Sequence, residues 1–399
     1  MEAYILDWLN LLLRWLHVIT AIAWIGSSFY FVWLDNSLTP PEHPDLLEKG
    51  VGGELWAVHG GGFYNPQKYL LAPKTLPQNL HWFFWESYST WLSGFALFSV
   101  LYLFNAGSFL VDPHVLAMSA GTAVLAALAY LLAGWVVYDL ICRLFGDKPR
   151  GDRIVGILVT VYVVVAVWIA CHVFSGRAAF LMTGASLATV MSANVLLWII
   201  PGQRKMVAAI RAAQRPDPIH GKRGKQRSVH NTYFTLPVIF AMLSNHYSMT
   251  YGAANNWLVL LLIMFAGVLI RQFFVLKHKG NIQWTYPVAA IVILAAVAAW
   301  IVPKSALQAP PAMNTVSFAQ VQQVVQTRCI QCHAAQPTLM PVPGKGILLD
   351  SKAGILEHAQ QIYQQAVVQK AMPLGNLTSI SDDERALLGK WFEQGAKGE

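Results

Sequence analysis

Cys329-Ile330-Gln331-Cys332-His333 puts two thiols and an imidazole within one helical turn. This is the attachment pattern for a c-type haem. The thiols take up the vinyl groups as thioethers, and the imidazole ligates the iron from one side. Met372-Pro373 follows at the spacing where small cytochromes place their second, thioether ligand. Met340 is the alternative ligand, but it stands so close behind Cys332 that crossing the haem is difficult. A zinc site would need further Cys or His at metal spacing, and this stretch has only His358 to offer. Ser381 then heads Ser381-Asp382-Asp383-Glu384, a helix start that predicts a closing helix through Trp391 and Phe392. Cys142 and Cys171 lie in apolar runs and read as small hydrophobes.

A second set of reactive side chains stands inside apolar runs, where ionisable groups are costly and therefore point to function. His17, His114, His172 and His246 fall towards one end of the runs. His81, Glu86, Asp139 and Arg271 fall towards the other, near His59, His220 and His230. The first group predicts axial ligation of a b-type haem, with His17 paired to His172 or His246. Small residues around His17, in His17-Val18-Ile19-Thr20-Ala21-Ile22-Ala23, leave room for a flat macrocycle. Interhelical hydrogen bonding is the alternative use of these imidazoles. The second group predicts a polar cavity, against the alternative of an internal ion pair between Glu86 and Arg271.

The elements that must hold these groups are membrane helices. Of 399 residues, 55% are apolar and only 12% charged, half the charge content of a soluble domain. A bilayer core of about 30 Å needs about 20 apolar helical residues. Eight runs approach that length: Ile5–Leu34, Trp82–Phe104, His114–Phe145, Ile154–Phe174, Ala178–Ile200, Tyr233–Met249, Trp257–Leu276 and Trp284–Val302. The sixth is the weakest, carrying Pro237, Asn245 and His246. The net charge of +8 belongs to the part before Asn314, beyond which the two signs cancel. Lys and Arg gather in alternate loops: Lys49, Lys68 and Lys74; Arg143 to Arg153; Arg204 to Arg227; Lys277 and Lys279. The opposite loops hold little beyond Arg177, so the positive-inside rule places both termini outside. Residues 205–214 form a basic amphipathic segment on the inner surface. The acidic start and long first run predict no cleavable signal peptide.

The expected fold is all-α: a polytopic membrane helix bundle of about eight transmembrane helices (residues 1–303), a linker (304–314) and a class-I-like cytochrome c domain (315–399). The location is the bacterial cytoplasmic (inner) membrane, with the cytochrome domain periplasmic, where haem c is attached. The charge pattern gives nucleic acid no support. No internal repeat is visible.

Several long segments resemble the membrane-bound, cytochrome-c-linked urate oxidases (urate hydroxylases). They are His81 through Phe95, Glu54 through Tyr64, Asn194 through Val207, and Gly224 through Asn231 with Leu243 through Tyr247. The family often has a second Asn where Thr232 follows Asn231. The resemblance implies oxidation of urate to 5-hydroxyisourate in purine catabolism. Water supplies the oxygen, and electrons pass through haem to a periplasmic cytochrome c or terminal oxidase. Urate is an anion at neutral pH, so His59, Arg204, Lys205, Asn231 and Arg271 are expected to bind it. Glu86, His81 and His230 are the candidate bases. A non-catalytic cytochrome relaying electrons from quinol would not need the Gly-rich aromatic loop from His59 to Tyr69. A transporter would be expected to show repeated topology or paired broken helices.

Overall fold

The computed structural model describes residues 2–73, 75–302, 315–340, 342–368 and 370–398; the expected linker at 304–314 lies outside them. The chain is mostly helical. α1 (Glu2–Ser37) leads into two short antiparallel ribbons, β1 (Val51–Glu54) with β4 (Gln67–Tyr69) and β2 (Ala57–His59) with β3 (Gly62–Tyr64). Gly60 and Gly61 form the β2–β3 turn with φ of 58° and 80°, a left-handed pair that glycine accepts without strain. Lys68 pairs with Asp35 and so ties this lobe to the end of α1.

α2 (Trp85–Phe98), α3 (Ala120–Phe145), α4 (Gly151–Val173) and α5 (Gly176–Asn194) follow. A π-turn at Val195–Ile199 joins α5 to α6 (Ile200–Arg211). Then come α7 (Pro218–Leu243), α8 (Asn256–His278) and α9 (Thr285–Trp300). Each of the eight apolar runs falls on one of these helices. Five are long and apolar enough to cross a membrane: Trp8–Ser37, Ala120–Phe145, Gly151–Val173, Gly176–Arg211 and Asn256–His278; Thr285–Trp300 is apolar but shorter. α2 and α7 fall short in composition for a reason that bears on function. They carry Glu86, Ser87, Thr90 and Ser93, or Arg227, Asn231, Thr232 and Thr235, all of them buried except Glu86, which is half-buried.

α5 is the hub, because small residues let its neighbours approach closely. A Cβ added at Gly134 of α3 would collide with Ser186, and one at Gly184 would lie 2.8 Å from Ala241 of α7. The packing α1–α2, α2–α5, α5–α7, α7–α8 and α8–α1 closes a circuit of five helices, with α3 and α4 flanking α5.

The C-terminal unit has its own core of Phe318, Val321, Val325, Leu349, Ile355, Leu388 and Trp391. α10 (Phe318–Arg328) precedes the short α11 (Ile330–His333), and α12 (Asp382–Glu393) closes the unit. Ser381 caps α12 as its sequence predicts. Its Oγ accepts from Glu384 N–H at 3.1 Å, and Glu384 Oε2 accepts from Ser381 N–H at 2.7 Å. The two units touch where the loop Leu374–Asn376 packs on the turn Ala106–Phe109 and His114 Nε2 bonds Ser379 Oγ at 2.8 Å.

Candidate functional site

Two polar clusters lie within the bundle, and they differ in what they leave unpaired. The first joins α3, α5 and α7 and is saturated. Asp139 accepts from Arg143 Nε (2.5 Å), Trp198 Nε1 (2.7 Å) and Arg227 Nη2 (2.8 Å). Arg227 also donates to Asn194 Oδ1 at 3.0 Å and lies over the Trp198 and Tyr138 rings. Since a guanidinium only donates, the orientation of the Asn194 amide follows. Its Nδ2 donates to Tyr138 Oη and to Asn231 Oδ1, both at 3.0 Å. Tyr138 then has its own proton for His230 Nδ1, 2.7 Å away. Arg227 and Asp139 are 2% and 4% exposed, so Arg227 is a buried lock rather than the loop cation its neighbourhood suggested. A cavity of about 240 Å³ opens above this lock, lined by Arg143, Asp147, Trp198, Arg223, Gln226 and Arg227.

The second cluster is unsatisfied. Glu86 Oε2 on α2 and Arg271 Nε and Nη2 on α8 are buried with no hydrogen-bond partner. Trp135, His278 and His358 also hold a buried nitrogen without a partner among the described residues, but only Glu86 and Arg271 belong to groups ordinarily charged at neutral pH. The ion pair envisaged between them is not formed among the described residues. Arg271 is 4% exposed, and its guanidinium lies 4.4 Å from the centre of the Phe29 ring on α1. Phe31 of α1 packs edge-on against Phe83 at 4.8 Å, while His17 reaches the Thr90 carbonyl at 3.1 Å. α1 and α2 are therefore antiparallel, and Glu86 lies between those two contacts. Arg271 thus meets α1 at Phe29, and Glu86 lies beside α1 between the levels of Phe31 and His17. Buried polar atoms of charged groups left without a partner are expensive.

The remaining expected site residues are dispersed. His230 stands with Tyr138, joined to neither Glu86 nor Arg271. The Asn231 amide is committed to Asn194 and to the Met191 carbonyl (3.0 Å), so it braces α5 against α7; Thr232 Oγ1 bonds its own helix at Ser228. His81 is exposed and packs against Phe83, His59 is exposed on β2, and Arg204 and Lys205 are exposed on α6. His17 Nδ1 is taken by Thr90 and by Ser93 Oγ at 3.2 Å. His172 is exposed, stacks on Trp168 and bonds that residue's carbonyl at 2.7 Å; His246 is exposed at the end of α7. No hydrogen bond or ring contact joins these three imidazoles. Sequence reading missed Tyr138, Asn194 and Trp198. The signal available was a buried Asp139 that needed donors, with Tyr138 beside it and Arg143 one turn on.

In the C-terminal unit the residues fit a covalent haem. Cys329 and Cys332 are free thiols on one turn with His333. His333 Nδ1 engages the Ile347 carbonyl at 3.3 Å, leaving Nε2 as ligand, the usual way such an imidazole is oriented. Burial holds His333 below the ordinary imidazole range, so it is neutral as a ligand must be, and burial pushes the Cys329 thiol up to about 12. A Cβ at Gly344 would meet the His333 ring at 3.0 Å, a close cradle. Leu339, Val342, Leu348 and Val368 leave apolar surface of the kind a macrocycle covers. Among the described residues, no cluster of three His, Cys, Asp or Glu forms a metal site.

A family model described as urate oxidase N-terminal matches residues 3–302, three quarters of the chain and the whole helical bundle. No curated protein and no solved structure matches the chain.

Proposed function

Because the chain belongs to the urate oxidase N-terminal family, we propose that it oxidises urate to 5-hydroxyisourate at the Glu86–Arg271 cluster. Urate monoanion and water give 5-hydroxyisourate, one proton and two electrons. The observation that carries the reading is a pair of charged side chains, Glu86 on α2 and Arg271 on α8, whose buried polar atoms have no partner. Arg271 neutralises the purine anion, which would not enter a buried site uncompensated. Glu86 accepts the proton that must leave as water adds, and its burial keeps bulk water from competing for that proton. The α3–α5–α7 lock holds α5 and α7 in register around this place. Arg204 and Lys205 on α6, His59 on β2 and His81, all exposed, draw the anion in.

A haem c on Cys329 and Cys332, with His333 and Met372 to hold its iron, would supply a one-electron acceptor outside the membrane. The contact of residues 374–379 with the Ala106–Phe109 turn and His114 keeps that unit against the bundle. Under this reading eight helices span the bacterial cytoplasmic membrane. Both termini lie in the periplasm, and a periplasmic cytochrome c or terminal oxidase takes the electrons. The test is turnover with ferricytochrome c in oxygen-free, ¹⁸O-labelled water. Product carrying the label, with no peroxide formed, is expected; a requirement for oxygen with peroxide release refutes the reading.

A further inference from the structure

The turn between α3 and α4 carries more positive charge than its neighbours neutralise. A cavity of about 750 Å³ opens there, and its lining includes Asp147, Lys148, Arg150, Asp152, Arg153 and, from α7, Lys222. Asp147 is committed to Arg223, whose Nε donates to it at 2.9 Å. That leaves Asp152, which accepts from Gln226 Nε2 at 2.6 Å, as the one carboxylate of the lining for four cations. Lys148 lies over the Phe145 ring, 4.8 Å from its centre. Among the described residues, no hydrogen bond or ion pair ties the side chains of Lys148, Arg150, Arg153 and Lys222. Arg150 holds a φ of 58°, so the chain places a cation where backbone preference favours glycine or asparagine. Four like charges around one cavity repel one another unless an anion lies between them.

Arg153 also heads an exposed stripe along α4. Ile157, Val161 and Val165 follow it at four-residue spacing, each of them half exposed or more. α4 is long and apolar enough to cross a membrane, so this stripe faces acyl chains where the bundle spans one. We propose that the cavity binds the phosphate headgroup of an anionic phospholipid whose acyl chains lie along the α4 stripe. The phosphodiester accepts from Arg150 and Arg153, because a planar guanidinium matches phosphate geometry, while Lys148 and Lys222 add charge. Lys222 belongs to α7 and the other three cations to the α3–α4 turn, so the headgroup bridges the two. A zwitterionic lipid brings its own ammonium, which four cations repel, so the site selects a headgroup of net negative charge. Free phosphate shares the headgroup's chemistry but leaves the stripe uncovered. The proposal goes beyond the urate reading and needs only that α3 and α4 span a membrane.

The experiment measures how much radiolabelled phosphatidylglycerol or phosphatidylcholine, with identical acyl chains, the immobilised full-length holoprotein retains from detergent micelles. Wild-type protein should prefer phosphatidylglycerol by about 10- to 30-fold at low salt. The double variant Lys148→Gln with Arg153→Gln should lose most of that preference. Lys277→Gln with Lys279→Gln removes the same charge from the end of α8 and the residues after it, and should keep the preference. Equal loss in both double variants would reduce the effect to a general attraction between basic loops and anionic lipid, and overturns the site. No preference in the wild type, which needs no variant, overturns it as well. A parallel arm adds excess inorganic phosphate at matched ionic strength, and retention should be unchanged. Displacement of the lipid by phosphate would make the cavity a site for soluble anions and overturn the lipid assignment. None of these outcomes touches the urate reading, because no arm uses urate or turnover.

Discussion

In the proposed reaction Glu86 is the base. Replacing it by Gln keeps its size and removes its basicity, so turnover should fall by about 10²- to 10⁴-fold. Urate binding and the visible spectrum should be retained; unchanged turnover would remove Glu86 as the base. Asp139 answers for stability instead. Asp139→Asn leaves Arg227 buried without its counter-charge and should cost about 3–5 kcal/mol, read as a lowered unfolding midpoint in detergent. A third residue sets a pH dependence. Burial raises the Glu384 carboxyl, but Ser381 N–H and Arg328 together outweigh it and hold it below its ordinary value. A depressed carboxyl stabilises above its unfolded pKa of about 4.3 and loses that contribution as pH falls through the lower folded value. Protection of amides 382–393, taken relative to intrinsic exchange at each pH, should therefore fall on acidification in the wild type, whereas Glu384→Gln should be less protected at neutral pH and respond less to acid. Glu86 and Arg271 were legible from the sequence because a charge in an apolar run is conspicuous. Their lack of mutual pairing was not, since that depends on where α2 and α8 meet α1.

Among the elements, α7 shows where sequence reading loses resolution. Its apolar stretch begins at Tyr233, yet the helix starts at Pro218, and its basic first half is helical too. Arg227 reads as a loop cation because hydropathy averages over all faces of a helix; its burial comes from Asp139 on α3, distant in sequence. The Ser381 cap was fully legible, since capping is local. Helix hand-offs are topological claims and can be tested as such. A reporter fused after Gly221 should behave as cytoplasmic and one at Glu399 as periplasmic; the opposite result at either site would refute the eight-helix arrangement. The contact between the units is testable on its own. Cysteines replacing His114 and Ser379 should be bridged by a short bifunctional thiol reagent, because the native side chains meet at 2.8 Å; failure to bridge them would place the C-terminal unit elsewhere.

For the whole molecule, the proposed reaction separates proton from electron. The carboxylate and guanidinium lie in the bundle's inner part, whereas the two thiols and the imidazole lie in a unit folded around its own core. A substrate oxidised at the first place must surrender its electrons at the second if the reading is right. The decisive measurement is the absorption spectrum of the oxidised, purified protein on anaerobic addition of urate, before any external acceptor is present. The account predicts the sharpened α-band of reduced haem c in wild-type protein, and a slowed appearance of it in Glu86→Gln. A spectrum that stays oxidised in the wild type, with urate present and dithionite still able to reduce the haem, would contradict it.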